Sequence, residues 1–173
     1  MERKYGLLMN MPEGKRAGYY AQIVKALASQ APPFDRDKEL LVFSSPEERS
    51  AACRVMEQYG IPYEEMPLWL LPETAKLAPC FDDYGFVSRL ERAYVYAELV
   101  SLFLLKAAEP GGGSAGCSDA SSALLQLEEH MIAKFSPAGG DPLYIAGGAI
   151  ETQHRELAEG IGKAYGCSIE WIE

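Results

Sequence analysis

The chain has 173 residues and a formal net charge of −9, with 48% hydrophobic and 24% charged residues. These values are those of an ordinary globular protein, and the length predicts a single α/β domain over residues 1–173. The negative charge argues against binding to nucleic acid or to an anionic membrane surface, because both need a surplus of Lys and Arg.

The first half of the sequence predicts alternating strands and helices. Continuously apolar tetrapeptides are typical of strands that are covered on both faces. Two strand–helix–strand units in succession usually mean parallel strands that are joined by helical crossovers. In chain order we predict strands at residues 6–9, 40–43 and 63–66, and helices at about 17–30 and 46–59.

The second of these helices has the clearest local signals. Ser45 is a good N-cap, Pro46 occupies the first helical position, and Glu48 can close a capping box onto Ser45. Gly60 supplies a left-handed end to the helix. Pro62 indicates that the strand after it lies at an edge of the sheet.

The middle of the sequence predicts a long loop followed by two helices. Residues 67–86 contain several prolines and the acidic pair Asp82-Asp83, and such loops are often lids or binding segments. Residues 87–108 are apolar on nearly all sides, which predicts a helix that is buried or forms an interface. Glu98 is an isolated acid in it and should meet a partner. A second helix is expected at about 120–135.

The C-terminal part repeats the strand–helix–strand pattern, with a strand at 143–146, a helix at 151–165 and an alternating edge strand at 167–172. The complete prediction is an α/β, Rossmann-like three-layer fold. Its mostly parallel sheet has about five strands in the order 3-2-1-4-5, and the helical pair is inserted between its two halves.

Four widely spaced cysteines without a C-x-x-C pair do not indicate a zinc or redox site. The N-terminus lacks the apolar stretch of a signal peptide, and the apolar run at 93–108 is too short to span a bilayer. A chain of this size needs no disulfides, so we expect a cytoplasmic protein.

This topology predicts where a ligand binds. In open α/β sheets, ligands bind beyond the carboxyl ends of the strands, where the winding direction reverses. That point lies between the loop at 10–16 and the loop at 147–149, with Ser44 at the end of the neighbouring strand. The predicted ligand-binding residues are Asn10, Lys15, Arg16, Ser44, Gly147 and Gly148.

Lys15 and Arg16 are two cations at a helix N-terminus, which the helix dipole disfavours. An anionic ligand held there by backbone N–H groups would explain them, whereas the alternative is that both are solvated or pair with acidic residues. Gly147 and Gly148 allow close backbone approach to a ligand, although such pairs are often only conformational. Neither a Walker A motif nor a dinucleotide fingerprint is present.

Glu151 and His154 are the predicted catalytic residues. Their E-x-x-H spacing places both side chains on one face of a helix, and an ordinary histidine titrates near neutrality, as a general acid or base requires. The alternative is that Glu151 complements the helix N-terminus and that His154 is exposed or hydrogen-bonded. The other histidine, His130, is expected on a solvated helix face.

Three functional hypotheses follow. The first is a ligand-binding protein or enzyme, a transferase or hydrolase, that acts on an anionic metabolite such as a nucleotide or sugar phosphate. The second is a non-catalytic interaction module in which the helix at 87–108 forms a homodimer or another protein interface. The third is a metal protein that uses His154 and nearby carboxylates. The sequence identifies no cofactor.

Overall fold

The computed structural model describes residues 1–12, 14, 17–107, 119–137 and 142–173 of the chain. These residues form two compact units. Unit 1 comprises Met1–Leu71 and Phe86–Ala97, and unit 2 comprises Pro72–Gly85 and Glu98–Glu173. The single domain expected over residues 1–173 stays a prediction.

The described residues contain eleven strands and four α-helices. The helices are α1 (Ala17–Gln30), α2 (Pro46–Tyr59), α3 (Ala120–Glu128) and α4 (Arg155–Ala164), and short 3-10 helices cover Phe81–Asp83 and Thr152–His154. The strands are β1 (Glu2–Met9), β2 (Asp35–Asp37), β3 (Leu40–Phe43), β4 (Tyr63–Leu70), β5 (Lys76–Leu77), β6 (Gly85–Val87), β7 (Ala93–Tyr96), β8 (Val100–Ala107), β9 (Met131–Phe135), β10 (Tyr144–Glu151) and β11 (Cys167–Ile172).

The two units share one connectivity. The first sheet has the strand order β2-β3-β1-β4-β7-β6, and the second has the order β11-β8-β10-β9-β5. In unit 1 the path β1-α1-β2-β3-α2-β4 places β3 and β4 on either side of β1. The path β8-α3-β9-β10-α4-β11 does the same around β8 in unit 2. Each unit is therefore a split β-α-β motif with added edge strands.

The predicted Rossmann-like fold with a mostly parallel sheet is wrong, since every strand pair whose register is described is antiparallel. Helices do connect parallel strands here, because β3 and β4 both run antiparallel to β1 and so run in the same direction. However, β1 lies between them. The sequence pattern predicted the crossovers, but it did not predict that a third strand would be inserted in each one.

The predicted helix at 87–108 is also wrong, because this segment ends β6 and then forms β7 and β8. Its apolar residues are continuous because β8 is a central strand with neighbours on both sides. The turn between the strands contains Ala97, Glu98 and Leu99 and has neither Gly nor Pro to mark it. Glu98 is exposed in that turn and needs no buried partner. The interface helix of the second hypothesis therefore does not exist.

Local helix signals were more reliable. Ser45 caps α2 by accepting a hydrogen bond from Glu48 N at 3.2 Å, and Gly60 ends the helix with a left-handed φ of 64°. The Glu48 carboxylate reaches back to Ser44 N at 2.9 Å, one residue earlier than predicted. The edge position of β11 is confirmed, whereas β4 lies between β1 and β7 and is not the predicted edge strand.

Four other predicted elements are corrected in their bounds. The predicted helix at 120–135 ends at Glu128, after which the chain forms β9. The strand expected at 143–146 extends to Glu151 as β10, and the helix expected from residue 151 begins at Arg155. The expected loop at 67–86 contains the end of β4, β5 and a 3-10 helix.

Helices cover one face of each sheet. In unit 1, Leu7 and Phe43 pack under α1 and α2, with Ile23, Leu27, Val55 and Met56 facing them. In unit 2, Phe103 and Leu105 of β8 pack with Leu127 of α3 and Ile161 of α4. Complete burial of one such side chain stabilises the fold by about 1.5–3 kcal/mol relative to leaving it exposed.

The opposite face of the unit 1 sheet has its own small core of Val42, Leu68 and Tyr94. Val42 lies between Leu41 and Phe43 on β3, and alternate residues of a strand point to opposite faces. None of the helices in the described part of the chain has the length and hydropathy that crossing a lipid bilayer requires.

Candidate functional site: a histidine pair in unit 2

The predicted site residues lie in both units. Asn10 follows β1, where its side-chain amide donates to Glu64 at 3.3 Å, and Ser44 follows β3, where its hydroxyl accepts from Lys4 Nζ at 3.3 Å. Gly147, Gly148, Glu151 and His154 belong to unit 2. Lys15 and Arg16 lie outside the described residues. The predicted switch point is wrong because it required a parallel sheet, while binding roles for the individual residues stay predictions.

Gly147 and Gly148 lie inside β10 and not in the predicted loop. A Cβ atom on Gly147 would lie 2.0 Å from Cε2 of Phe135, and one on Gly148 would lie 2.7 Å from Cε1 of Phe103. Aromatic rings of neighbouring strands therefore fill the space that the missing side chains leave. The prediction was close approach of a ligand, whereas the groups that approach these glycines here are side chains of the protein itself.

The structure brings Glu151 and His154 together with Tyr84 and His130, which come from distant parts of unit 2. The Tyr84 hydroxyl donates a hydrogen bond to Glu151 Oε1, and the Gln153 side-chain amide donates to Glu151 Oε2. The ring centroids of His130 and His154 are 6.0 Å apart, with an angle of 59° between the ring planes. Both histidines of the chain thus belong to one cluster beside a carboxylate that has a donor on each oxygen.

Strand pairing between β9 and β10 positions this cluster. Ile150 is paired with Met131, so the residue before β9, His130, lies near the residues that follow β10. Beyond Glu151 the chain turns into the 3-10 helix of Thr152–His154. Thr152 N donates to Leu99 O at 2.9 Å, which ties this turn to the start of β8.

Glu151 is held in its ionised form. The hydrogen bond from Tyr84 is the largest cause that lowers the pKa of Glu151 below its ordinary value, and the Gln153 amide and the charge of His154 lower it further. The same hydrogen bond raises the pKa of Tyr84 to about 12. At neutral pH the pair is therefore a carboxylate and a neutral phenol.

Two small grooves lie in the same unit along β5 and β9. Lys76 and Lys134 are directly opposite each other in this strand pair and line both grooves. The larger groove, of about 270 Å³, also contains Glu128 and Met131, which flank the His130 segment in the sequence. The smaller, of about 140 Å³, contains the hydroxyl residues Thr74 and Ser136.

Opposed lysines repel each other across a strand pair. Lys134 is compensated by an ion pair with Glu128. An anion bound in either groove would compensate Lys76 as well.

Sequence reasoning identified half of the cluster. Glu151 and His154 were predicted, although on a helix and not at the end of a strand. His130 was assigned to a solvated helix face, because residues 120–135 were interpreted as one helix. Tyr84 was missed, since it lies 67 residues from Glu151 and follows Asp82-Asp83, two exposed acids in a 3-10 helix. Only the pairing of β9 with β10 would have indicated the histidine pair.

Within the described residues, no three side chains of His, Cys, Asp or Glu converge in the way that a metal ligand set would. The hypothesis of a metal centre around His154 therefore has no ligand set in that part of the chain. Comparison with known proteins gave no match: no protein-family model, curated protein or solved structure is similar to this chain at a significant level.

Proposed function

We propose that this protein is an enzyme, a hydrolase or transferase, that uses general acid–base chemistry on an anionic metabolite such as a nucleotide or sugar phosphate. The observation that carries the proposal is the pair of imidazoles at 6.0 Å beside Glu151. Rings with centroids roughly 4.5–7 Å apart are in contact, so a substrate bound across the pair would meet both imidazoles at once, as general acid–base chemistry on one group requires.

The two histidines have different surroundings, which supports different roles. His154 is the histidine whose charge acts on the Glu151 carboxylate, and we assign it the role of general acid. His130 is exposed and precedes β9, and we assign it the role of general base. Glu151 is a positioning residue in this scheme, because Tyr84 and Gln153 occupy its two oxygens.

In the proposed reaction, neutral His130 removes a proton from a water or an acceptor hydroxyl as its oxygen forms a bond to phosphorus. Protonated His154 gives its proton to the leaving oxygen as the older phosphorus–oxygen bond breaks. Water as the acceptor makes the protein a hydrolase, and a hydroxyl makes it a transferase. Solvent then returns both imidazoles to their starting protonation states.

The two lysines that line the grooves along β5 and β9 supply local positive charge in an acidic protein. Lys76 and Lys134 would bind the charged group of the substrate, and the adjoining hydroxyls of Thr74 and Ser136 would donate hydrogen bonds to it. Lys76 and Lys134 thus take the anion-binding role that the sequence predicted for Lys15 and Arg16, which lie outside the described residues. The cytoplasmic location expected from the sequence stays a prediction.

The test is a panel of phosphate monoesters and diesters, nucleotides and sugar phosphates, assayed with the wild type and with His130→Gln and His154→Gln. We expect each substitution to lower the rate by about 100-fold or more, because each removes one proton-transfer group. Glu129→Gln is the matched control, since Glu129 is an exposed neighbour of His130 and has no role in the proposed reaction.

A second readout does not depend on finding the substrate. The chain has two histidines, so NMR resolves each imidazole separately once the single variants have assigned the signals. Inorganic phosphate should shift both imidazole signals of the wild type in a saturable way. Full activity in the double histidine variant would contradict the proposal, as would a wild type that turns over no member of the panel and shows no phosphate-dependent shift.

A further inference from the structure

A groove on unit 1 has a composition unlike that of the lysine-lined grooves. Its volume is about 420 Å³, which is within the range of small-molecule sites. It lies beside the hairpin of β2 and β3, on a face that α1 and α2 do not cover. The lining combines apolar, aromatic and acidic residues: Leu8, Leu40, Phe86, Tyr96, Asp37 and Glu39, with Lys38 at the hairpin turn.

The aromatic wall of the groove is anchored in the core. The rings of Phe86 and Tyr96 are 6.1 Å apart, and Phe86 stacks on Tyr94 at 5.1 Å with an interplanar angle of 15°. Tyr94 is fully buried and donates a hydrogen bond to Asp35 at 2.8 Å. The Phe86 ring is therefore held by a fixed partner, and the wall exists before any ligand binds.

The acids of the hairpin differ in their partners. Asp35 is buried and accepts hydrogen bonds from Ser88 and Tyr94. In the described part of the chain, Asp37 and Glu39 form no salt bridge with a Lys or Arg side chain. Burial is the largest cause that raises the pKa of Tyr96, and the negative charge of Asp37 raises it further. The Asp37 carboxylate therefore lies close enough to Tyr96 to interact with it electrostatically.

We infer that this groove binds a small organic cation of the quaternary ammonium type. Aromatic faces attract such cations, and the attraction is strongest when the cation gives up little hydration on leaving water. Unpaired carboxylates beside the rings add a Coulombic contribution, and Leu8 and Leu40 provide an apolar floor for alkyl groups. An ordinary ammonium or metal ion would instead have to lose strongly bound water to enter an apolar groove.

Lys38, which lines the same groove, allows a test of whether charge contributes to binding. It is an exposed cation at the rim and has a positive φ of 48° in the hairpin turn. Its charge repels a bound cation, so removing that charge should tighten binding. A groove that binds ligands only through apolar contact would not respond in this way.

The experiment compares choline with 3,3-dimethylbutan-1-ol, which has the same shape but no charge, by NMR titration of the full-length protein. We expect saturable choline binding that is about ten-fold tighter than binding of the neutral compound. Asp37→Asn and Tyr96→Leu should each weaken choline binding several-fold, whereas Lys38→Gln should strengthen it. Asp82→Asn, an exposed acid of unit 2, is the control and should have no effect.

Circular dichroism and thermal melts of each variant separate loss of binding from loss of folding, and Phe86→Leu removes the other ring of the wall if Tyr96→Leu is unstable. Equal affinity for choline and its neutral analogue would overturn the inference, since charge would then play no part. Unchanged choline binding in Asp37→Asn and in the variant that removes a ring, or no saturable choline binding at all, would overturn it as well. None of these outcomes depends on the histidine pair of unit 2.

Discussion

Units 1 and 2 have the same connectivity, and each contains a tyrosine hydroxyl that donates to a carboxylate. In unit 1 the pair is Tyr94 and Asp35, and both residues are buried. In unit 2 the pair is Tyr84 and Glu151, both partly exposed, with His154 beside them.

The surroundings give the same pair of groups two different uses. Asp35 is buried with Ser88 and Tyr94 as hydrogen-bond donors and with Arg92 at 4.0 Å, so its charge serves to join β2 to the segment around β7. Glu151 is partly exposed and adjoins an imidazole, and its proposed role in the site rests on this arrangement. Burial and neighbours, and not the residue types, therefore distinguish the structural carboxylate Asp35 from the carboxylate that we propose for the site.

The largest expected effect comes from breaking the buried pair. Asp35→Ala leaves the hydroxyls of Ser88 and Tyr94 without their acceptor, and we expect it to lower the free energy of unfolding by about 3 kcal/mol. Urea unfolding followed by circular dichroism measures this. Asp37→Ala, two residues away on the same strand, is the control. Equal stabilities of the two variants would mean that Asp35 is not the structural carboxylate of unit 1.

A smaller effect tests the packing of β10 in unit 2. Gly147→Ala places a Cβ 2.0 Å from the Phe135 ring, so the ring must move, and we expect a loss of about 1–3 kcal/mol. Gly160→Ala is the matched control in α4, where a Cβ meets nothing within 4 Å. It should stabilise the protein by about 0.5–1 kcal/mol through helix propensity. Thermal melts of the two variants measure these changes. A Gly147→Ala protein as stable as the wild type would contradict the close approach of the Phe135 ring.

The smallest expected effect is the pH dependence of the exposed pair. The pKa of Glu151 is lowered in the folded protein, so its contribution to stability is present above the unfolded value and is lost as the pH falls through the folded value. The pKa of Tyr84 is raised to about 12, so its contribution is present below about 10 and is lost as the pH rises through about 12.

Tyr84→Phe should therefore be slightly less stable than the wild type between these limits, and equal to it at both extremes of pH. Unfolding measured across the pH range gives the difference. The control is Tyr20→Phe in unit 1, where the Tyr20 hydroxyl donates to the Pro12 carbonyl, which does not titrate. The stability deficit of this variant should not disappear at acidic pH. A Tyr84→Phe deficit that persists unchanged at low pH would contradict the Glu151 partnership.

Much of the local structure was predictable from the sequence. The ends of α2 follow from Ser45, Pro46 and Gly60, and the alternation of residues 167–172 predicted the edge strand β11. The candidate site was predictable only where its residues are close in sequence, as Glu151 and His154 are. His130 and Tyr84 join them through pairing between β9 and β10 and through the segment that precedes β6, and no local pattern encodes either arrangement.

The sequence alone predicted the bounds of α1 and α2 and the apolar character of β1, β3 and β10, because caps, glycines and side-chain periodicity act over a few residues. The order and direction of the strands depend on contacts between segments that are far apart in the chain, so they emerge only in the folded structure. The unpredicted strands β2 and β9 each follow a helix and form a hairpin with the next strand, which therefore runs antiparallel to the first strand of its unit. The pairing of β9 with β10 also brings His130 to His154.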